Sequence, residues 1–237
     1  MTLKRSEIKS LISLNLGNRT SLDDETLSWM NFALHDIASM HNWREMLVDD
    51  RNTIKTVAGL GDYAPPPNTK DISDVRYVDD SLSKSLIYKT PVEMRKQFSH
   101  PESDGYSYPV YYTWDGEFIR LYPWPQVANK NLWVRYFRWP DDFSDYTDEE
   151  CPIPRAEQAI IALATAYGYE AVGEMEKQMQ WKNRYLEHIH KIIPSDDGVQ
   201  TDHIRVYGSQ RMHSGRSSDS FVIDPIGKGN GINTTSY

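Results

Sequence analysis

The chain has 237 residues and a formal net charge of −8 at pH 7, from 26 Lys and Arg against 34 Asp and Glu. That balance argues against a protein that wraps nucleic acid, because phosphate binding needs clustered cations, and the length allows one large domain or two small ones with a core that needs neither disulfides nor metals. Cys151 is the single cysteine, which excludes an internal disulfide framework and a Cys-based zinc site. Cytosolic synthesis fits that usage. No stretch approaches the roughly 20 apolar residues that span a bilayer, so no membrane partner is expected. Met1 to Glu7 are charged and lack an apolar segment, so no signal peptide is expected.

In chain order, Ser6 to Leu16 reads as a short helix, with Ile8, Leu11 and Ile12 on one face and Gly17 where a left-handed cap is wanted. A second helix is expected from Ser21 to about His41. Ser21 and Asp24 have capping-box spacing, and Leu22, Thr26, Trp29, Ala33, Ile37 and Met40 form one stripe. Leu27, Met30 and Leu34 widen that stripe, which places the helix centrally among several neighbours.

From Met46 to about Trp139 the apolar period becomes two. The expected strands are Thr53–Val57, Asp74–Val78, Lys84–Tyr88, Pro109–Trp114, Glu117–Tyr122 and Asn131–Arg138. Asp115-Gly116 suits a two-residue turn with positive φ, setting Trp114 opposite Glu117, Tyr112 opposite Ile119 and Val110 opposite Leu121. Val110, Tyr112, Ile119 and Leu121 then share one face. Thr90-Pro-Val-Glu93 is a helix start, with Pro in the first turn.

Helix returns after Pro154, where Ala156, Ala159, Ile160, Leu163, Ala164 and Tyr167 make a narrow stripe that permits close helix approach. Gly168 and Gly173 mark a weak zone. Beyond it Met175, Met179, Leu186, Ile189 and Ile193 continue an apolar face, and Pro194 is expected to stop the helix. The expected class is α+β. Residues 1–45 and 152–195 form an antiparallel bundle of two N-terminal and two C-terminal helices; residues 46–151 form an inserted antiparallel β lobe with one short helix.

Residues 196–237 are expected to form an extended arm. The terminal stretch is rich in Gly, Ser, Asn and Thr, with apolar residues confined to Ile204, Val206 and Tyr207 and to Phe221, Val222 and Ile223. So little apolar surface cannot offset the entropy of ordering the segment, so a partner is expected to order it through these six anchors.

The opening "LISLNLGNRT-SLDDETLSWMNFALHDIASMHNWREM" resembles that of phage head-to-tail adaptor (connector) proteins: a short helix ending in Leu-Gly, a helix with an acidic start, and a closing element, here His41-Asn-Trp43-Arg44. Ile119-Arg-Leu-Tyr122-Pro-Trp-Pro125, the Val134-Arg-Tyr136 strand and Pro152-Ile-Pro154 before an Ala-rich helix extend the similarity over most of residues 3–193. The resemblance implies a structural virion protein. It implies a ring of about a dozen copies under the portal, joining it to a tail or nozzle protein and leaving a channel through which DNA passes without specific binding. It further implies a C-terminal arm that reaches the portal or a neighbouring copy.

Catalytic readings are weak. His188 and His190 are two apart on a helix and cannot jointly chelate a metal; HExxH, GxSxG and P-loop patterns do not occur. The pairs Asp49-Asp50, Asp79-Asp80 and Asp141-Asp142 sit where turn chemistry alone calls for Asp. Glu149 and Glu150 beside Cys151 are expected to raise its pKa, so it is no activated nucleophile. No cofactor is expected. On the last strand Leu132, Val134 and Tyr136 alternate with Trp133, Arg135, Phe137 and Trp139. One face must be core; the other is open to intramolecular packing, a subunit interface or a sugar-stacking platform. The rival functions are therefore a glycan- or receptor-binding tail component and, with no supporting spacing, a metal-dependent hydrolase.

Overall fold

A computed structural model describes the backbone of residues 2–79, 82–98 and 105–211, with side chains described up to residue 196 apart from those of Thr20 and Leu82. The helices are α1 (Arg5–Asn15), α2 (Asp23–Met40), α3 (Pro91–Gln97), α4 (Glu157–Ala171) and α5 (Met175–Arg211). All the strands fall between α2 and α4. They are β1 (Leu47–Lys55), β2 (Asp62–Tyr63), β3 (Thr69–Asp79), β4 (Leu82–Ser85), β5 (Ile87–Tyr88), β6 (Tyr106–Ser107), β7 (Tyr111–Trp114), β8 (Ile119–Tyr122), β9 (Trp124–Pro125) and β10 (Asn131–Arg138). The protein is a mixed α+β fold with mainly antiparallel sheets.

α1, α2 and α4 pack on one another. Their contact buries Ile8, Ile12, Met30, Ala33, Leu34, Ile37, Ala159, Ile160 and Ala164 completely. Burying each Leu or Ile side chain contributes about 1.5–3 kcal/mol, so this layer is a major source of stability. The close approach uses Gly168: a Cβ there would stand 2.8 Å from both Leu16 methyls and 3.0 Å from the Trp29 ring. Gly17, with φ +79°, ends α1 in the expected left-handed geometry.

The second core lies among the strands. One sheet has the order β1-β10-β3-β4 and is antiparallel throughout; the other has the order β2-β8-β7-β5, with a parallel pairing of β5 and β7. Val75, Tyr77, Leu132 and Val134 from the first sheet cluster with Tyr112, Ile119 and Leu121 from the second. Period-two alternation puts these residues on the facing sides. Lys70 of β3 links the cores, donating through Nζ to the carbonyl oxygens of Ala38 and His41 at the C-terminal end of α2. A cation satisfies orphan carbonyls there and complements the helix dipole. Trp43, 1% exposed, closes the same corner, its indole N–H donating to the Ile37 carbonyl at 3.0 Å.

Several expectations are corrected. α2 starts at Asp23 after a 3₁₀ turn (Thr20–Leu22), and its N-cap is Leu22 with no side-chain cap, so Ser21 opens no capping box. Thr26 instead donates back to the Leu22 carbonyl. Met40 of the expected stripe is exposed. The hairpin pairs Trp114 with Ile119 and Tyr112 with Leu121, two residues out of the expected register. The cause is Asp115, whose carboxylate accepts from the N–H groups of Glu117 and Phe118 and stretches the turn to four residues. A shift of two preserves side-chain parity, so Tyr112, Ile119 and Leu121 remain in the core as expected.

The largest correction concerns α5. Pro194 lies inside it, and residues 196–211 are helical rather than extended. Its buried face carries Gln178, Tyr185, Ile189 and Asp196, with Trp181 and Ile192 half-buried; the expected face is turned outward at Met175, Met179 and Leu186. An interior proline costs about 3 kcal/mol. The Asp196 carboxylate, two residues on and completely buried, offsets this by accepting from His41 Nε2 (2.8 Å), Arg155 Nη1 (3.2 Å) and the Arg44 N–H (3.3 Å).

Candidate docking surfaces

α3 begins as the sequence predicts. Thr90 Oγ1 accepts from the Glu93 N–H, while the Glu93 carboxylate accepts from the Thr90 N–H at 2.9 Å and its hydroxyl at 2.8 Å. Those hydrogen bonds hold the Glu93 carboxyl below its ordinary pKa. Met94 anchors the helix to the sheet, and Phe98 at its end stacks on Tyr122 with ring centroids 3.6 Å apart. Between α3 and the β7–β8 hairpin this leaves a cavity of about 340 Å³ with Phe98, Tyr122 and Trp124 in its walls. Gly61 admits the Trp124 indole, which would collide with any Cβ there. On the floor Thr113 is 2% exposed, and its Oγ1 has no hydrogen-bond partner among the described residues. Arg120 is held between Asp115 (3.1 Å) and Asp62 (3.8 Å). The hydrogen bond from the Phe118 N–H above all, opposed by burial and aided by the Glu117 N–H and the Arg120 charge, keeps the Asp115 carboxyl below its ordinary pKa.

A second surface is the acidic turn before α4. Ser144 N–H donates to Glu149 Oε1 at 2.8 Å and Thr147 Oγ1 to Glu149 Oε2 at 2.9 Å. Asp145 pairs with Arg5 at 3.1 Å, and Asp148 accepts from the Ser6 N–H and hydroxyl at 2.9 and 3.0 Å. The turn is thus pinned to α1, and Tyr146 at its tip is 97% exposed.

The outer face of the first sheet carries Asp49, Arg51, Asp74, Arg76, Trp133 and Arg135 around a depression of about 190 Å³. Arg51 lies over the Trp133 ring at 5.1 Å, and Lys70 over Trp139 at 5.5 Å. These cations take ring faces that a sugar would need, so this face is a weak stacking platform and a reasonable protein contact.

The residues singled out for chemistry are scattered. Among the described residues no three or more His, Cys, Asp or Glu side chains converge as a metal site. Asp49 and Asp50 lie inside β1 and not at a turn, and Asp50 accepts from the N–H groups of Asn52 and Thr53 at the register break before Ile54. Burial tends to raise its pKa, but those bonds and the Thr53 hydroxyl outweigh it and hold the carboxyl below the usual value. Asp79 pairs with Lys130, Asp142 with His35 at 2.6 Å, and Asp141 with Arg138 at 3.5 Å. The Cys151 thiol is pushed up to about 12, as the sequence predicts in direction, but the cause differs: burial comes first, and the nearby acid is Glu157 rather than Glu149 or Glu150. Ile204, Val206 and Tyr207 lie on the helical backbone of α5; Phe221, Val222 and Ile223 lie outside the described residues.

Among the described residues the exposed features are a knob, a cavity and a charged sheet face. The family model of the SU10 adaptor proteins matches residues 1–212. The chain belongs to the SU10 adaptor family. This makes it a structural adaptor of a bacteriophage, a virion component that contacts other head or tail proteins. No curated protein matches the chain. Among the described residues no helix of this SU10 adaptor is long and apolar enough to cross a membrane.

The cavity and Tyr146 escaped the sequence reading. The cavity draws on residues from 62 to 124, with no local signature. Tyr146 sits in an acidic run whose sequence marks a loop but not a rigid one.

Proposed function

We propose that the protein is a non-catalytic head-to-tail adaptor that forms a ring under the portal, links capsid to tail and leaves an open channel for DNA. The observation that carries this reading is the family match over residues 1–212. The net charge of −8 supports it, because an acidic lining lets DNA pass without adhering. In this reading the helices of residues 1–45 and 152–195 pack side by side in the ring, and the β lobe of residues 46–151 projects. The C-terminal segment engages the portal or a neighbour, with Ile204, Val206 and Tyr207 presented from helix and Phe221, Val222 and Ile223 anchoring in a groove or adding a strand to a sheet edge. Permanent contacts of this kind bury about 2,000 Å² or more each.

Deleting residues 199–237 tests the assignment of the C-terminal segment. The cut spares Asp196 and its partners, so the truncated subunit keeps its unfolding midpoint but no longer assembles on portal rings. Portal binding as tight as that of the full chain overturns the assignment.

A further inference from the structure

A tyrosine that is 97% exposed buries almost none of its ring, and no contact among the described residues accounts for it. Its turn is nevertheless held by hydrogen bonds from Ser144, Thr147 and Ser6 and by the Arg5–Asp145 pair, so the ordering entropy is already spent before any contact forms. A rigid aromatic knob of this kind has the properties of an interface anchor. The cavity beside α3 has the complementary ones. Phe98, Tyr122 and Trp124 stand in its walls together with Met94 and the paired charges of Asp62, Asp115 and Arg120, and its volume of about 340 Å³ accommodates a tyrosine ring. The charges also match. Asp145, paired with Arg5 but still 63% exposed, and Asp148 flank the knob, while Arg95 in the last turn of α3 is exposed at the cavity's rim.

We infer that Tyr146 of one copy inserts into the Phe98–Tyr122–Trp124 cavity of a second copy, with Asp145 and Asp148 meeting Arg95. The two surfaces are different patches of one chain, so the contact is head-to-tail, the type that closes into a ring when the rotation allows. It rests on the adaptor reading and supplies a specific lateral contact for it.

Disulfide trapping on the full-length chain tests this without any portal protein, so its outcome stands apart from that of portal docking. A single subunit carrying both R95C and D145C, oxidised mildly, gives a ladder of covalent multimers beyond the dimer. The two single variants mixed give only mixed dimers. Adding Y146A to the double variant reduces the ladder about tenfold, the loss expected for one anchor residue. A ladder from R95C/D145C no faster than from K9C/D145C, whose first site lies away from the cavity, overturns the proposal. So does a ladder unaffected by Y146A, and so does Y146C alone forming dimers as fast as the mixed pair, the mark of a symmetric contact.

Discussion

Asp196 shows how one side chain can carry a helix past a proline. Pro194 reads as a terminator because it lacks an N–H and crowds the preceding turn. The carboxylate beyond it has three partners from the α2–β1 corner and the start of α4, and no local pattern in the sequence announces partners 41 to 155 residues away. Replacing Asp196 by Ala leaves Arg155 and His41 facing an uncompensated gap and should cost about 2–4 kcal/mol, read as a lower urea midpoint. An unchanged midpoint would mean the clasp contributes nothing. Cys151 gives a pH test. Its folded pKa, about 12, lies above the ordinary thiol value. The neutral thiol is therefore the form the fold favours, and its contribution is fully present below the ordinary thiol pKa. It is lost as pH rises from there toward about 12. Alkylation of the native protein at pH 8 should be slow, and should reach the free-thiol rate only on unfolding; rapid native labelling contradicts the burial.

At the scale of elements, period and turn chemistry were legible and partner geometry was not. β10, the start of α3 and the small-residue stripe of α4 are where the sequence predicts them. Asp115-Gly116 announces a hairpin, and alternation alone assigns the buried face. The register is different because the Asp115 side chain caps two N–H groups, a choice that dipeptide preference does not decide. On α5 two apolar stripes compete. Met175, Met179 and Leu186 of the expected stripe face outward and only its Ile189 reaches the core, where Tyr185 and the half-buried Trp181 take the remaining places because aromatic rings bury more area per residue. Gly168 tests the packing of α4. Gly168→Ala gains up to about 1 kcal/mol in helix propensity, but its methyl meets Leu16, which is 2% exposed and hemmed in by the core. The net result should be a loss of about 1–2 kcal/mol, read by thermal or urea unfolding. A stabilised variant would show that the α1–α4 contact has slack.

For the whole molecule, the family follows from the match over residues 1–212 and the α+β class from the order of elements. The surfaces available for contact differ in character: a preformed knob, a cavity with an orphan hydroxyl, an arginine-rich sheet face and an outward stripe of Met175, Met179 and Leu186. Buried area and complementarity at such surfaces would supply the assembly energy. The adaptor reading is tested most directly by measuring the mass of a purified portal ring before and after mixing with the full-length chain. A complex heavier by a fixed whole number of subunits is expected, reached at saturation. A portal ring whose mass does not change at saturating adaptor, under conditions where both proteins are folded, contradicts it.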